Sequence, residues 1–358
     1  MTQAGATLDQ GAINFSGWRA SLRALAASVQ SVVRRQLLEA IAAERLSDLG
    51  RGVAEGVGDT TFALDVPAEE AVEAWFSGCA RAGPLSLLTE DAGWRHRGPD
   101  PDQAQGWREL EGFGHGGPRI VIDPIDGTRP LMHDLRSAWV VIGFAGAGTS
   151  QPRGAELSGG LLVELPTSVQ DRARWLEARR GGPAEFRILP VGASPEEVAE
   201  ATPTHLRVDA EARVDAGYLT FFRYHPAQRR RLATLEASFF ERLAEHEGAD
   251  LLQVYEDSYC SSGAQLALLA LGRYRFVADL RARAGGVSGP FCKPYDVAGA
   301  VVIAEAAGVV LRDAWGQPLD FDIDATSPLD WIGYVNEETR ARLEPHLEAA
   351  WAELDEGP

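Results

Sequence analysis

Arg119-Ile-Val-Ile-Asp-Pro-Ile-Asp-Gly-Thr-Arg129 is the stretch around which the rest of the chain can be read. Ile120, Val121 and Ile122 make a short apolar run of the kind a buried strand requires. Asp123 stands at its end. Pro124 has no N–H for a ladder, which predicts that regular pairing stops there. Asp126 follows, and Gly127 lets the backbone turn sharply or approach a ligand closely. Two carboxylates on one tight strand-end turn repel each other unless a cation lies between them. Hard cations such as Mg²⁺ take oxygen ligands and leave positions open for a substrate phosphate. Thr128 adds a hydroxyl, and the amides after Gly127 can hold a phosphate if a helix starts there. Asp-Gly pairs are also common in solvated turns, and these residues by themselves leave that reading open. The spacing does not suit a calcium loop, which places carboxylates at alternate positions before its glycine.

The chain has 358 residues, enough for two domains or one large one with an ample core. Hydrophobic residues make up 45% and charged residues 24%, the balance of a globular protein rather than a disordered one. The formal net charge is −18, which disfavours nucleic acid or an anionic membrane as partner, since these are bound by clustered Lys and Arg. An acidic enzyme still binds phosphates if a metal supplies local positive charge. Basic residues are nearly all Arg; Lys293 is the sole lysine. Cys79, Cys260 and Cys292 are far apart, have no zinc-ligand spacing and suit a reducing compartment. No basic region followed by an apolar core opens the sequence, and the longest apolar stretch, Val297 to Leu311, contains Glu305 and is too short for a bilayer. These features predict a cytoplasmic protein with no membrane contact.

In chain order, residues 1–15 read as a loose arm. Apolar residues at helical spacing predict a helix from Trp18 to Leu49, with Ser16 as its N-cap. A second helix is expected from Ala68 to Cys79, and a strand over Leu85-Ser-Leu-Leu-Thr-Glu-Asp91 that ends in two acids. Residues 95–117, rich in Gly, Pro and charge, read as an inserted loop. Strands are predicted over Ala138–Phe144 and Gly159–Leu165, then a hairpin around Gly181-Gly182-Pro183. Residues 193–213 read as a linker with a short helix. Beyond it come a helix over Gln228–Glu247, a strand at Leu251–Tyr255, a helix over Ser262–Leu271 and a strand over Tyr274–Asp279. The end of the chain reads as an apolar helix Asp296–Ala307, a strand Val309–Arg312 and a helix from about Glu337 to Leu354.

Three further acids join the centre in this reading. Glu90 follows an apolar run, as Asp123 does. Asp296 opens an apolar helix after Pro294, and Asp65 precedes a helix. Each alone also suits an N-cap or a solvated acid. Glu90-Asp91, Asp123-Pro-Ile-Asp-Gly-Thr128 and Tyr295-Asp-Val-Ala-Gly-Ala-Val-Val-Ile-Ala-Glu-Ala-Ala-Gly308 together resemble the motifs of the inositol monophosphatase family. That family belongs to the lithium-sensitive, Mg²⁺-dependent phosphatases, with the fructose bisphosphatases and 3′(2′),5′-bisphosphate nucleotidases.

The resemblance implies a layered α/β/α/β/α sandwich with its metal site between two subdomains: residues 1–212, α+β and metal-binding, and residues 213–358, α/β. It implies two or three Mg²⁺ ions acting on a small phosphorylated substrate. Glu90, Asp123 and the Ile125 carbonyl correspond to ligands of one ion, and Asp123, Asp126 and Asp296 to ligands of another. Thr128, assisted by Asp65, corresponds to the group that orients water beside Glu90. The Gly127 and Thr128 amides would hold the phosphate beside Asp126, and Ser262-Gly263 corresponds to a small-residue turn touching the substrate. Members are often homodimers. The activity implied is phosphomonoester hydrolysis of a small polyol or sugar phosphate, with a 3′(2′),5′-bisphosphate nucleotidase or a non-catalytic binding protein as alternatives.

Several positions depart from the family pattern. Arg129-Pro130-Leu131 stands where Thr-Asn-Phe is frequent, and Tyr295 where Trp is common. Gly289 occupies the place of a substrate-binding glutamate in inositol-specific relatives. On this reading the 95–117 loop, with Trp107, Phe113 and His115, fills the room over the leaving group. A rival motif, Asp322-Ile-Asp324-Ala-Thr326, matches the nucleophile pattern of haloacid-dehalogenase-type phosphatases, but too little chain follows it to complete such a domain.

Overall fold

The computed structural model describes residues 14–57, 60–211, 214–223, 226, 229–285 and 291–356. Helix α1 (Phe15–Ala42) is capped by Asn14, whose side chain accepts the Gly17 N–H at 3.0 Å. The expected cap, Ser16, therefore lies inside the first turn: Asn14 already has the extended backbone and acceptor that a cap needs. A 3₁₀ turn (Leu46–Gly50) completes what reads in sequence as one longer helix. The hairpin β1 (Gly52–Glu55) and β2 (Thr60–Phe62) leads into α2 (Val66–Ala82). Then follow β3 (Leu85–Thr89), β4 (Gly93–Pro99), β5 (Trp107–Glu109), β6 (Arg119–Asp126), α3 (Thr128–Met132), β7 (Ala138–Ala145) and β8 (Leu157–Leu165). β9 (Arg172–Arg179), β10 (Ala184–Pro190), α4 (Pro195–Glu200) and β11 (Thr204–Leu206) complete the first half. The second half contains β12 (Gly217–Phe221), α5 (Arg229–Glu247), β13 (Val254–Tyr255), α6 (Ser262–Ala270), β14 (Tyr274–Asp279), α7 (Pro294–Ala307), β15 (Val310–Arg312), β16 (Trp331–Tyr334) and α8 (Glu337–Glu356). The sequence reading had no strand at β12 or β16.

Two large sheets result. The nine-stranded one runs β11-β10-β9-β8-β7-β6-β3-β4-β5, and only β3 and β6 pair in parallel. The five-stranded one runs β13-β12-β14-β16-β15. β6 lies inside the large sheet, and its apolar run is buried on both faces. Ile120 and Ile122 pack with α1 and α2, while Val121 packs with α6 and α7. Helices α6 and α7 fill the space between the two sheets, and α5 and α8 cover the outer face of the small one. The layers are thus α/β/α/β/α.

Helix α7 can lie flat on the large sheet because small residues meet at the contact. A Cβ on Gly160 would stand 2.1 Å from the Gly299 carbonyl oxygen, and one on Gly299 the same distance from that of Ile142. This close approach fixes where the N-terminus of α7, with Asp296, ends relative to β6.

Two expectations are corrected. Pairing of β6 with β7 does not end at Pro124: it skips from Asp123↔Val141 to Asp126↔Trp139, so the proline is absorbed in a bulge and the ladder resumes. Residues 95–117 are not a loop thrown out from the fold. They hold most of β4, all of β5 and a 3₁₀ turn (Gly112–His115), and extend the large sheet. The charge that suggested a loop is neutralised across elements. Arg97 bonds Glu109 at 2.7 Å, pairs with Glu73 of α2 and lies 3.8 Å over the Trp107 ring. Residues 1–13 of the expected arm lie outside the described residues, as do Ala212 and Arg213 at the expected subdomain boundary.

Candidate active site

The end of β6, the N-termini of α3, α6 and α7 and the start of α2 converge on a pocket of about 100 Å³. Glu90, Asp123, Ile125, Asp126, Gly127, Thr128, Asp65, Ser262 and Asp296 all line it. Residues widely separated in the chain are thus brought together. Gly263 is the one expected site residue that does not reach the pocket surface.

Each carboxylate is held by donors from its own locality. Asp123 Oδ1 accepts the Ile125 N–H at 2.9 Å, a bond that the bulge at Pro124 permits. Asp126 Oδ2 accepts the Ser261 hydroxyl and the Gly263 N–H, each at 2.6 Å, at the N-terminus of α6. Asp296 Oδ2 accepts the Lys293 N–H at 2.8 Å and so caps α7. Asp65 Oδ2 accepts the Phe62 N–H at 2.7 Å. The Thr128 hydroxyl lies 3.0 Å from Asp65 Oδ1 and 2.8 Å from the Ile125 carbonyl oxygen, so its one hydrogen is shared between two acceptors. Gly127, at φ 100°, supplies the left-handed residue that turns the chain from β6 into α3.

Burial dominates the electrostatics. It pushes Asp126 up to about 6 and Asp296 up to about 7, with the Asp126 charge adding to the latter. Asp123 is raised well above the ordinary carboxylate range by burial and then by Asp126, Glu90 and Asp296. Asp65 is pushed up to about 6, chiefly by burial. A cluster of this kind is stable as carboxylates only with added positive charge. The donors are all hard oxygens, the chemistry that Mg²⁺ or a similar cation takes. Among the described residues, no group of three such side chains is already gathered as a coordination shell. The donor chemistry fits a hard divalent cation, and the pocket brings the donors to one place.

Four residues that carry the site were not assigned roles from sequence. Ser261, the cap of α6, holds Asp126. Tyr295 hydrogen-bonds Glu90, which gives the departure from Trp a local role. Glu69 is pushed up to about 8 by burial and then by Asp91, with Glu90 and Asp65 adding to it. Asp91 accepts the Thr61 hydroxyl at 2.8 Å. The signal for Glu69 was its spacing: four residues after Asp65, it lies on the same face at the start of α2.

The expectation that residues 95–117 cover the leaving group is overturned. None of them lines the pocket. Phe113 packs edge-on against Trp94 and His96, and His115 hydrogen-bonds Ser86 at 2.9 Å, far along β3 from Glu90. The wall beyond the carboxylates is built instead from Arg129, Phe222, Cys260, Arg281, Phe291 and Lys293. The second expectation about specificity, at Gly289, lies outside the described residues. Asp324 of the rival motif accepts the Thr326 and Ser327 amides in a tight turn, and Asp322 pairs with Arg153 at the surface.

No family model matches the chain. The fructose-1,6-bisphosphatase of Pyrococcus furiosus is 34% identical over 74 residues, so the chain spans only about a quarter (26%) of the curated relative it matches, and 21% of its own length. Solved structures match along nearly the whole chain. The Leishmania major fructose-1,6-bisphosphatase in holo form gives a TM-score of 0.63 at 13% identity, covering 94% of this chain and 95% of that one. SuhB of Mycobacterium tuberculosis gives 0.58 at 17% identity, covering 95% and 98%. Inositol monophosphatase II of Staphylococcus aureus gives 0.55 at 15% identity, covering 95% and 98%. At such identities the likeness is one of fold: the chain has the sandwich shared by inositol monophosphatases and fructose-1,6-bisphosphatases.

Proposed function

We propose that this chain is a Mg²⁺-dependent phosphomonoesterase acting on a small polyol or sugar phosphate. The observation that carries the reading is the meeting of Glu90, Asp123, Asp126 and Asp296 in one pocket, where Asp123 and Asp126 are buried and the charges of Asp126, Glu90 and Asp296 all oppose that of Asp123. The fold and the partial match to a fructose-1,6-bisphosphatase support it. A volume of about 100 Å³ suits a small substrate, well below the range of ~300–1,000 Å³ that holds drug-sized ligands.

In this reading Glu90, Asp123, Asp126, Asp296 and the Ile125 carbonyl hold the metal ions. When bound, these ions lower the pKa of a coordinated water and offset charge on the phosphoryl oxygens. Thr128 directs its hydroxyl hydrogen toward Asp65 or the Ile125 carbonyl. Its lone pairs are then left to accept from a water O–H on the Glu90 side. Asp65 best fills its role ionised, above a pH of about 6. The Gly127 and Thr128 amides, at the start of α3, receive the phosphate. Gly263 acts through Asp126 rather than through the substrate, because its amide is already engaged. Sensitivity to Li⁺, a homodimer, a cytoplasmic location and a division into two subdomains near 212 belong to the same reading.

Arg129, Arg281 and Lys293 on the pocket wall favour a second reading, a substrate with a second phosphate such as a 3′(2′),5′-bisphosphate nucleotide. Phosphate release from a panel of inositol, sugar and nucleotide phosphates, with and without Mg²⁺, separates the two. Release from none of them with Mg²⁺ present would leave a non-catalytic binding protein.

A further inference from the structure

Asp126 and Trp139 stand opposite each other in the β6–β7 ladder, so their side chains leave the sheet on the same face. Both reach the segment that leads into α6. Asp126 takes the Ser261 hydroxyl at 2.6 Å, and the Trp139 indole N–H donates to the Tyr259 hydroxyl at 3.1 Å. Two neighbouring strands are thus tied to one segment at points two residues apart.

Tyr259 does not line the acidic pocket; it is buried behind it. Its hydroxyl also donates to the Ser137 carbonyl at 2.6 Å, so the phenol both gives and accepts at the start of β7. Its own carbonyl accepts the Ser261 amide at 3.0 Å and the Gln265 side-chain N–H at 2.8 Å, which passes the position of the ring on to the first turn of α6. Arg136 and Asp257 join the same two segments through two contacts of 2.8 Å, with the guanidinium 5.1 Å from the centre of the Tyr259 ring. That ion pair is partly exposed and screened by water, which leaves the buried hydroxyl as the stronger tie.

Gly127 fills the space between these segments. A Cβ there would stand 3.2 Å from Ser261 Cβ and 3.5 Å from both the Cys260 carbonyl oxygen and Ala138 Cα. The gap between the start of β7 and residues 260–261 is therefore one glycine wide. Its width sets how the end of β6, with Asp126, meets α6, and Tyr259 is the residue that spans it by hydrogen bonds to β7.

Given the metal-binding reading of Asp126, on which this rests, we propose that Tyr259 is a positioning residue of the site: it fixes the start of α6 against β7 and, through Ser261, sets where the Asp126 carboxylate stands to take a cation. Tyr259→Phe separates this role from simple packing. It keeps the ring and removes only the hydroxyl. A residue that merely packs would lower stability and leave cation binding by the folded protein untouched.

Isothermal titration calorimetry of the full chain with Mg²⁺, without substrate, tests it, and circular dichroism checks that each variant is folded. Tyr259→Phe should weaken Mg²⁺ binding about tenfold, as loss of a group that orients a ligand does. Ser261→Ala should weaken it as well. Adding Tyr259→Phe to Ser261→Ala should cost less than about a further twofold, because the two act through one bond and their effects do not add. Gln30→Leu is the control. Gln30 is a buried anchor away from the pocket, bonded to the Glu164 carbonyl at 2.8 Å and the Gly192 amide at 3.0 Å. Its loss should lower the unfolding temperature and leave Mg²⁺ binding unchanged. Parent-like Mg²⁺ affinity in Tyr259→Phe would overturn the proposal while leaving the metal site standing. A full tenfold loss on top of Ser261→Ala, or an equal loss in Gln30→Leu, would overturn it too. A parent protein that neither binds Mg²⁺ nor releases phosphate would overturn the metal reading, and the role of Tyr259 with it.

Discussion

Ser261 holds Asp126 across the join between the large sheet and the central helices: its hydroxyl donates to Oδ2 at 2.6 Å, the same oxygen that takes the Gly263 N–H. The aspartate is therefore placed by the start of α6. A Cβ on Gly263 would stand 2.8 Å from that oxygen and 2.7 Å from Val141 Cγ2. Gly263→Ala should displace Asp126 and lower kcat about 10²-fold, the effect of misplacing a reacting group by ~1 Å. Near-normal kcat in a folded variant would show that Asp126 is not fixed by this contact.

Asp123→Asn should reduce phosphate release about 10³-fold, as loss of a principal electrostatic stabiliser does. The metal-free variant should nevertheless be no less stable than its parent, because the substitution removes a charge that burial and three neighbours oppose. The same physics sets a pH dependence. The carboxyls of Asp126 and Asp296 are raised to about 6 and about 7, so the stability linked to them is fully present below the unfolded value of about 4. It is lost as pH rises to about 7. Unfolding of the EDTA-treated protein across this range should show the decline, and Mg²⁺ should reverse it at pH 7.5 by mass action. A metal-free protein whose stability does not fall between pH 4 and 7 would contradict the burial argument.

Tyr295 hydrogen-bonds Glu90 from the first turn of α7. Tyr295→Phe keeps the ring and removes the hydroxyl. Metal affinity should fall by roughly 10–100-fold, the usual effect of losing a group that orients a ligand, while kcat at saturating Mg²⁺ changes little. A titration of activity against Mg²⁺ reads the two effects separately.

Lys293 is the sole lysine and lines the pocket. Lys293→Met should raise KM for an anionic substrate about tenfold, equivalent to ~1.4 kcal/mol, with kcat within about a factor of two. Reductive methylation, which keeps the charge, should leave KM nearly unchanged. Acetylation should mimic the methionine variant.

Glu177 of β9 is buried among arginines. Arg187 reaches it at 2.8 Å, Arg23 through both of its carboxylate oxygens, and Arg19 at 3.8 Å. Burial pushes its carboxyl up, but the arginines outweigh burial and hold it below the ordinary value. Its stabilisation is present above the unfolded value of about 4.3 and lost as pH falls through the lower folded value, the opposite sense to the acidic pocket. Glu177→Gln should destabilise the protein by about 3–5 kcal/mol, since it leaves buried cations uncompensated. Chemical denaturation at pH 7 measures it.

The sequence by itself determined β6, the apolar helix α7 and the acids at their ends, because these signals are local. Three consecutive branched residues specify a buried strand, and an acid after a proline specifies the start of a helix. It determined the residue types of the pocket for the same reason: Asp123, Asp126 and Thr128 lie within six residues of each other. The family resemblance points to Glu90, Asp65 and Asp296 as their companions, but the physical meeting is decided by tertiary structure, through the parallel pairing of β3 with β6 and through Gly160 and Gly299, which let α7 approach the sheet. It also decided that residues 95–117 form sheet and not a lid. Arg97 is buried in a strand with Glu109 of β5 and Glu73 of α2 as partners, and no local pattern of charge reveals that these carboxylates on other elements come to meet it.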